Sequence, residues 1–152
     1  MHYSQRLLAY IKRAEQASQA AKEVALRDTG ITPAQQTILA VLIEAPGITG
    51  AELARRCAIT PQTITASIAR LEAAGLVERR SHSVHRTLIE IHPTRRGTEI
   101  FARADQQVAD LDAVLSDGLS KTELATLSSL LTRVTDASQD YLTRTATKQQ
   151  DS

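Results

Sequence analysis

The chain has 152 residues, with 18 Lys+Arg against 17 Asp+Glu for a net charge of +1, and 42% of it is apolar. That length suits one compact domain of roughly 100–150 residues, and the ordinary composition excludes intrinsic disorder. No apolar run approaches the roughly 20 residues that cross a bilayer. The N-terminus lacks a signal-peptide apolar block, and the single cysteine, Cys57, cannot form an internal disulfide, so the expected location is cytoplasmic.

In chain order, Tyr3, Leu7, Tyr10, Ile11, Ala14, Ala17, Ala21 and Val24 recur at three- and four-residue steps and predict a helix over 3–27. Thr32-Pro33-Ala34-Gln35 is a capping box with Pro at the first helical position; its helix carries Ile38, Leu39, Leu42 and Ile43 and stops at Pro46-Gly47. Thr49-Gly50-Ala51-Glu52 predicts a second box and a short helix with Leu53, Ala54 and Cys57. Thr60-Pro61 opens a third helix, with Ile64, Ile68 and Leu71 on one face and Gly75 as its stop. Only Ala58-Ile59 lies between Cys57 and Thr60, a spacing that fits a helix-turn-helix.

The period then changes. Leu76-Val77-Glu78-Arg79-Arg80 and Thr87-Leu88-Ile89-Glu90-Ile91-His92 read as strands, with Thr87, Ile89 and Ile91 expected on one face, and the basic stretch 81–86 as the hairpin between them. Beyond Pro93 the helical period returns with Ile100, Ala104, Val108, Leu111 and Leu115. Ser120-Lys121-Thr122-Glu123 then opens a final helix carrying Leu124, Leu127, Leu131, Val134 and Tyr141, and the stretch from Thr145 to Ser152 is expected to be a frayed polar tail. The fold class is mainly α with a small β-hairpin wing.

Charge is unevenly spread. Residues 55–96 hold eight arginines (Arg55, Arg56, Arg70, Arg79, Arg80, Arg86, Arg95, Arg96) against Glu72, Glu78 and Glu90, a local charge of +5, while the remainder sums to −4. Such a basic middle fits a polyanion site. The helix opened by Thr60 presents Gln62, Ala66, Ala69 and Ala73 opposite its apolar face, flanked by Thr63, Thr65 and Arg70. Small side chains with a few hydrogen-bonding tips near the N-terminus suit a helix entering a roughly 12 Å major groove. Gln62 can read adenine, Thr60, Thr63 and Thr65 can meet bases or phosphates, and Ala66 can touch a thymine methyl. Arg86, at the hairpin tip beside His85, is the natural minor-groove or backbone probe. Arg55 and Arg56 read as phosphate contacts, and Arg79 and Arg80 either as DNA contacts or as internal partners of Glu78 or Glu90.

The order helix, helix, helix-turn-helix, hairpin, helix, helix resembles the MarR family of bacterial transcription regulators. The resemblance rests on Gly50-Ala51-Glu52-Leu53-Ala54-Arg55-Arg56, Thr60-Pro61-Gln62-Thr63-Ile64-Thr65, and Ile68 through Arg79 with its Leu-Glu-x-x-Gly-Leu-Val-x-Arg pattern, completed by Arg86 and Gly97. It implies a winged helix-turn-helix over 31–97, flanked by N- and C-terminal dimerisation helices at 1–30 and 98–145, with 146–152 as the tail. It also implies a homodimeric repressor on a pseudo-palindromic double-stranded DNA operator, and a small aromatic or anionic effector in a crevice for which Tyr10 and Ile43 are the candidate liners. Tyr10 reads more readily as a packed dimer-interface tyrosine than as a ligand contact. One departure stands out: Ser81 and Val84 occupy wing positions where the family usually carries acids that orient the wing arginine. The broad apolar face Leu124, Leu127, Leu130, Leu131 and Val134 independently favours a dimer over an intramolecular bundle.

Other chemistries find little support. His82, His85 and His92 lack metal-ligand spacing and read as solvated or phosphate-adjacent, so no metal or cofactor is expected. Cys57 reads as a small buried hydrophobe, with a thiol lowered by Arg55 and Arg56 as the alternative. No nucleophile–base pair or phosphate-cradling loop points to an enzyme. A winged-helix protein-interaction module without sequence-specific DNA binding stays open as the alternative function.

Overall fold

The computed structural model describes the backbone of residues 2–150 and the side chains of 2–145. A 3₁₀ turn at Tyr3–Gln5 precedes α1 (Leu7–Leu26), followed by α2 (Pro33–Glu44), β1 (Ile48–Thr49), α3 (Gly50–Cys57), α4 (Pro61–Ala73), β2 (Val77–Ser81), β3 (Ile89–Pro93), α5 (Arg95–Ser116) and α6 (Lys121–Gln150). The helix expected over 3–27 is therefore interrupted: Arg6 is extended (φ −79°, ψ 145°), and no side chain caps α1. The chain forms two compact units, residues 1–111 and 112–152.

In the first unit, the Thr32 box forms in full, with Thr32 Oγ1 accepting from Gln35 N–H and Gln35 Oε1 accepting from Thr32 N–H. The Thr49 box is only half made. Thr49 Oγ1 accepts from Glu52 N–H, but the Glu52 carboxylate turns to Arg55 and Arg56 instead of back to Thr49. α4 ends in a Schellman motif: Leu76 N–H reaches Leu71 O at 2.8 Å and Gly75 N–H reaches Glu72 O at 2.9 Å, with Gly75 at φ +71°.

The sheet is antiparallel and three-stranded, in the order β1-β3-β2. Sequence patterning missed β1, because two residues carry no period; Gly47 N–H to Ile91 O at 3.0 Å and the Ile48–Ile91 register hold it in place. Of the face expected from Thr87, Ile89 and Ile91, only Ile91 is buried; the other two lie on the hairpin arm beyond the core. Ile38, Leu39 and Leu42 of α2, Leu53 and Ala54 of α3, Ile64, Ile68 and Leu71 of α4, Leu76 in the turn after it, Val77 and Ile91 of the sheet, and Ala104 of α5 belong to one hydrophobic cluster. Gly97 lets α5 press against the backbone just before β2: a Cβ there would sit 2.0 Å from Leu76 O. Thr94 fixes the same junction, its hydroxyl donating to Gly75 O and accepting from Gly97 N–H.

In the second unit, the Ser120–Glu123 box is reciprocal. Helical backbone continues to Gln150, so the frayed tail expected from Thr145 is helix for most of its length; Asp151 and Ser152 lie outside the described residues. None of the described side chains of α6 is buried.

Candidate nucleic-acid interface

α3 and α4 meet through a turn whose pivot is Ala58, held in the left-handed region at φ 53°, ψ 39°. This conformation lets Ala58 N–H reach Arg55 O while Ile59 N–H reaches Ala54 O. Burial of Ile64, Ile68 and Leu71 orients α4 and leaves the opposite face to solvent: Gln62, Thr63, Thr65, Ala66, Ala69, Arg70 and Ala73 are all exposed. Thr60 caps α4, its Oγ1 accepting from Thr63 N–H and lying 2.9 Å from Thr63 Oγ1. Thr65 Oγ1 donates to Pro61 O at 2.8 Å, which leaves its lone pairs to accept from outside. Gln62 is free of protein hydrogen-bond partners among the described residues.

The eight arginines divide sharply. Glu52 binds two of them: Arg55 Nη2 at 2.7 Å and Arg56 Nε at 2.6 Å. Hydrogen bonds from Arg55 and then Arg56 hold the Glu52 carboxyl down at about 2. Arg79 pairs with Glu72 at 3.4 Å, Arg80 with Glu78, and Arg95 with Glu99 at 2.9 Å. Arg70, Arg86 and Arg96 have no acidic partner among the described residues. Arg70 lies on the exposed face of α4, and Arg86 occupies the wing tip, in the turn that Leu88 N–H closes onto His85 O at 2.8 Å.

The histidine reading needs correction. His82 and His92 are not simply solvated: both flank Glu90, His92 Nε2 at 2.9 Å from Oε2 and His82 Nε2 at 3.6 Å from Oε1, and both are half-buried. Short-range sequence spacing hid this, because it is the β2–β3 register that brings position 82 back beside position 90. His85 is exposed next to Arg86, its ring 5.4 Å from that of His82. Among the described residues, no group of three or more His, Cys, Asp or Glu is arranged to hold a metal ion. Also among the described residues, no helix is long and apolar enough to cross a membrane.

Away from this face, Cys57 is half-buried, and burial pushes its thiol up. Arg55 and Arg56 do not lower it, because both are committed to Glu52. Cys57 lines a cavity of 260 Å³ with Gln19, Pro33, Ala34, Thr37 and Ile59. Tyr10 is 55% exposed with the Arg13 guanidinium 4.8 Å over its ring, while Ile43 is half-buried on α2. A second cavity, of 210 Å³, is lined by Tyr3, Ser4, Ala9, Lys12, Arg13 and Gln16.

A short helix, a tight turn, a second helix with an exposed polar face, and a three-stranded sheet whose hairpin projects an arginine define a winged helix-turn-helix protein. Residues 29–86 match the model of the MarR family. The HTH-type transcriptional repressor Rv2887 of Mycobacterium tuberculosis is 34% identical over 89 residues, 59% of this chain, and the chain spans 64% of that relative's length. A mutant of E. coli MarR, solved in complex with operator DNA, superposes with a TM-score of 0.79 at 29% identity, covering 84% of this chain and 92% of that one. CouR, a transcriptional repressor bound to a 23-mer DNA duplex, superposes with a TM-score of 0.82 at 26% identity, covering 87% and 94%.

Proposed function

We propose that the protein is a sequence-specific DNA-binding transcriptional repressor that meets a two-fold-related operator as a homodimer in the cytoplasm, acting by binding and not by catalysis. The observation that carries this reading is the exposed face of α4, with Gln62 and Arg70 unpartnered among the described residues, beside a wing whose tip arginine is likewise unpartnered among them. An arginine with no internal carboxylate keeps its full charge for phosphates or a narrow minor groove. α4 is the recognition helix: Gln62, Thr63, Thr65 and Ala66 face base edges, while Thr60, Arg70 and His85 meet the backbone. Arg55 and Arg56 reach phosphates only by leaving or sharing Glu52. The homodimer is supported by the exposed leucines of α6, and two-fold symmetry would set the two recognition helices about 34–36 Å apart.

The test is selection from random duplexes followed by affinity measured against salt. An inverted repeat should emerge. Arg86→Ala should weaken binding strongly and Arg70→Ala moderately, each lost phosphate contact lowering the log–log salt slope by about 0.9. Parental binding by both variants would overturn the assignment and favour a protein-interaction module.

The effector part of the proposal is narrower. Tyr10 lies under the guanidinium of Arg13, which with Lys12 lines the 210 Å³ cavity, so cations and an aromatic ring gather where an aromatic acid would bind; neither Tyr10 nor Ile43 of α2 is itself among that cavity's lining residues. Titrating small aromatic acids into the preformed complex tests it. Release should saturate and be lost in Tyr10→Ala while the free variant still binds DNA. Only a ligand with different affinities for the two protein states can shift that equilibrium.

A further inference from the structure

The wing tip hangs from one imidazole. His82 Nδ1 accepts from Val84 N–H at 3.1 Å and from His85 N–H at 3.0 Å. His82 N–H is itself tied to Leu88 O at 2.9 Å, and the His85 carbonyl takes Leu88 N–H at 2.8 Å. The four-residue turn from His85 to Leu88, with Arg86 at its second position, is therefore pinned at both ends through His82. Aspartate makes the same pattern when its carboxylate accepts from N–H groups two and three residues on. Here a ring nitrogen does so.

A ring nitrogen accepts only through a bare lone pair. Nδ1 must therefore be unprotonated, with the proton of the neutral ring on Nε2, facing Glu90 Oε1 at 3.6 Å from β3. The other charged and titratable groups around the ring are His85 in the turn, His92, which shares Glu90, and Arg80, which pairs with Glu90 in register but turns its guanidinium to Glu78. Glu90 would hold the imidazolium in place through Nε2. It offers nothing to the two N–H groups left facing a protonated Nδ1.

We propose that His82 is the positioning residue for Arg86, and that protonating its ring unshapes the wing and weakens DNA binding. This rests on the DNA-binding reading above. Histidine is the residue type whose charge changes between about pH 5 and 8.

The experiment compares wild type, His82→Asn and His82→Ala on a duplex selected by the wild-type protein, from pH 8 to 5.5 at fixed salt, alongside NMR of the free proteins. An Asn Oδ1 can accept from both N–H groups but does not titrate. At pH 8, His82→Ala should bind about tenfold more weakly, two net hydrogen bonds being lost, and His82→Asn should bind within about twofold of wild type. On acidification, wild type should lose about tenfold relative to His82→Asn, and the same comparison made with His92→Gln in both chains should keep that difference. In the free protein, Nδ1 should be the unprotonated nitrogen at pH 8. The Val84 and His85 amide signals should shift with the His82 ring in wild type and stay still in His82→Asn. Parallel pH profiles, a protonated Nδ1 at pH 8, or amides indifferent to the ring would each overturn the proposal. If wild type binds no duplex at any pH, the DNA-binding reading fails, while the amide signals still decide whether His82 shapes the wing.

Discussion

α4 and α6 are both amphipathic helices with an apolar stripe at helical spacing, yet their stripes meet opposite fates. Ile64, Ile68 and Leu71 are buried within their own unit, whereas Leu124, Leu127, Leu130 and Leu131 remain 42–50% exposed. A helix whose apolar face is satisfied internally has its polar face left to act on a partner; that is α4, with Gln62 and Arg70. A helix whose apolar face is unsatisfied offers that face itself as the contact, because covering it recovers about 25 cal/mol per Å². On the proposed function, the same periodic signal would mark a recognition helix in one region and an association surface in the other, and burial is what separates them.

The sharpest way to break this contrast is Leu127→Asp. In a two-fold dimer the charge enters twice, and burying it unpaired should cost more than about 4 kcal/mol, over a thousandfold in dissociation. Sedimentation should then find a folded monomer that has lost operator affinity. An unchanged dimer would mean that α6 does not form the contact. Next comes Leu71→Ala, which attacks the satisfied stripe: denaturant unfolding should register a loss of about 2–5 kcal/mol, with association changed only through folding.

A smaller effect tests the arginines beneath α4. Glu52→Gln should free Arg55 and Arg56, steepening the salt dependence of DNA binding by about 0.9 for each arginine that reaches a phosphate. The same variant has a pH signature. With its carboxyl held at about 2, below its ordinary 4.5, Glu52 stabilises the fold above 4.5, and that contribution is lost as pH falls toward 2. Thermal unfolding of the variant should therefore be less acid-sensitive than wild type across that window. The smallest change expected is at the pivot: Ala58→Gly relieves a left-handed alanine and should raise stability by up to about 1 kcal/mol, visible as a higher Tm.

Much of the first unit was legible in the sequence because its signals are local. Thr32 with Gln35, Thr60 before Pro61, and Gly75 after Ala73 each act within a turn of their own helix, and the step from Ile64 to Ile68 to Leu71 reports burial directly. The exposed face of α4 follows from the same wheel. What misled were residues whose partners are ambiguous at short range. Glu52 could cap Thr49 or bind the arginines one turn on, and three charge-assisted bonds outweigh one backbone N–H. Arg79 chose Glu72, across the α4–β2 junction, over its neighbour Glu78.

By itself, then, the amino-acid order determined the helices, the turn between α3 and α4, the hairpin, and a basic middle segment, since propensity, capping and periodicity act over three or four residues. Only the tertiary structure decided which arginines stay free, that Ile48–Thr49 joins the sheet, and that His82 meets Glu90 while holding the turn of Arg86. Those outcomes depend on strand register and on competition between charges from different elements. A one-residue slip between β2 and β3 would send every wing side chain to the other face without changing a letter of the sequence.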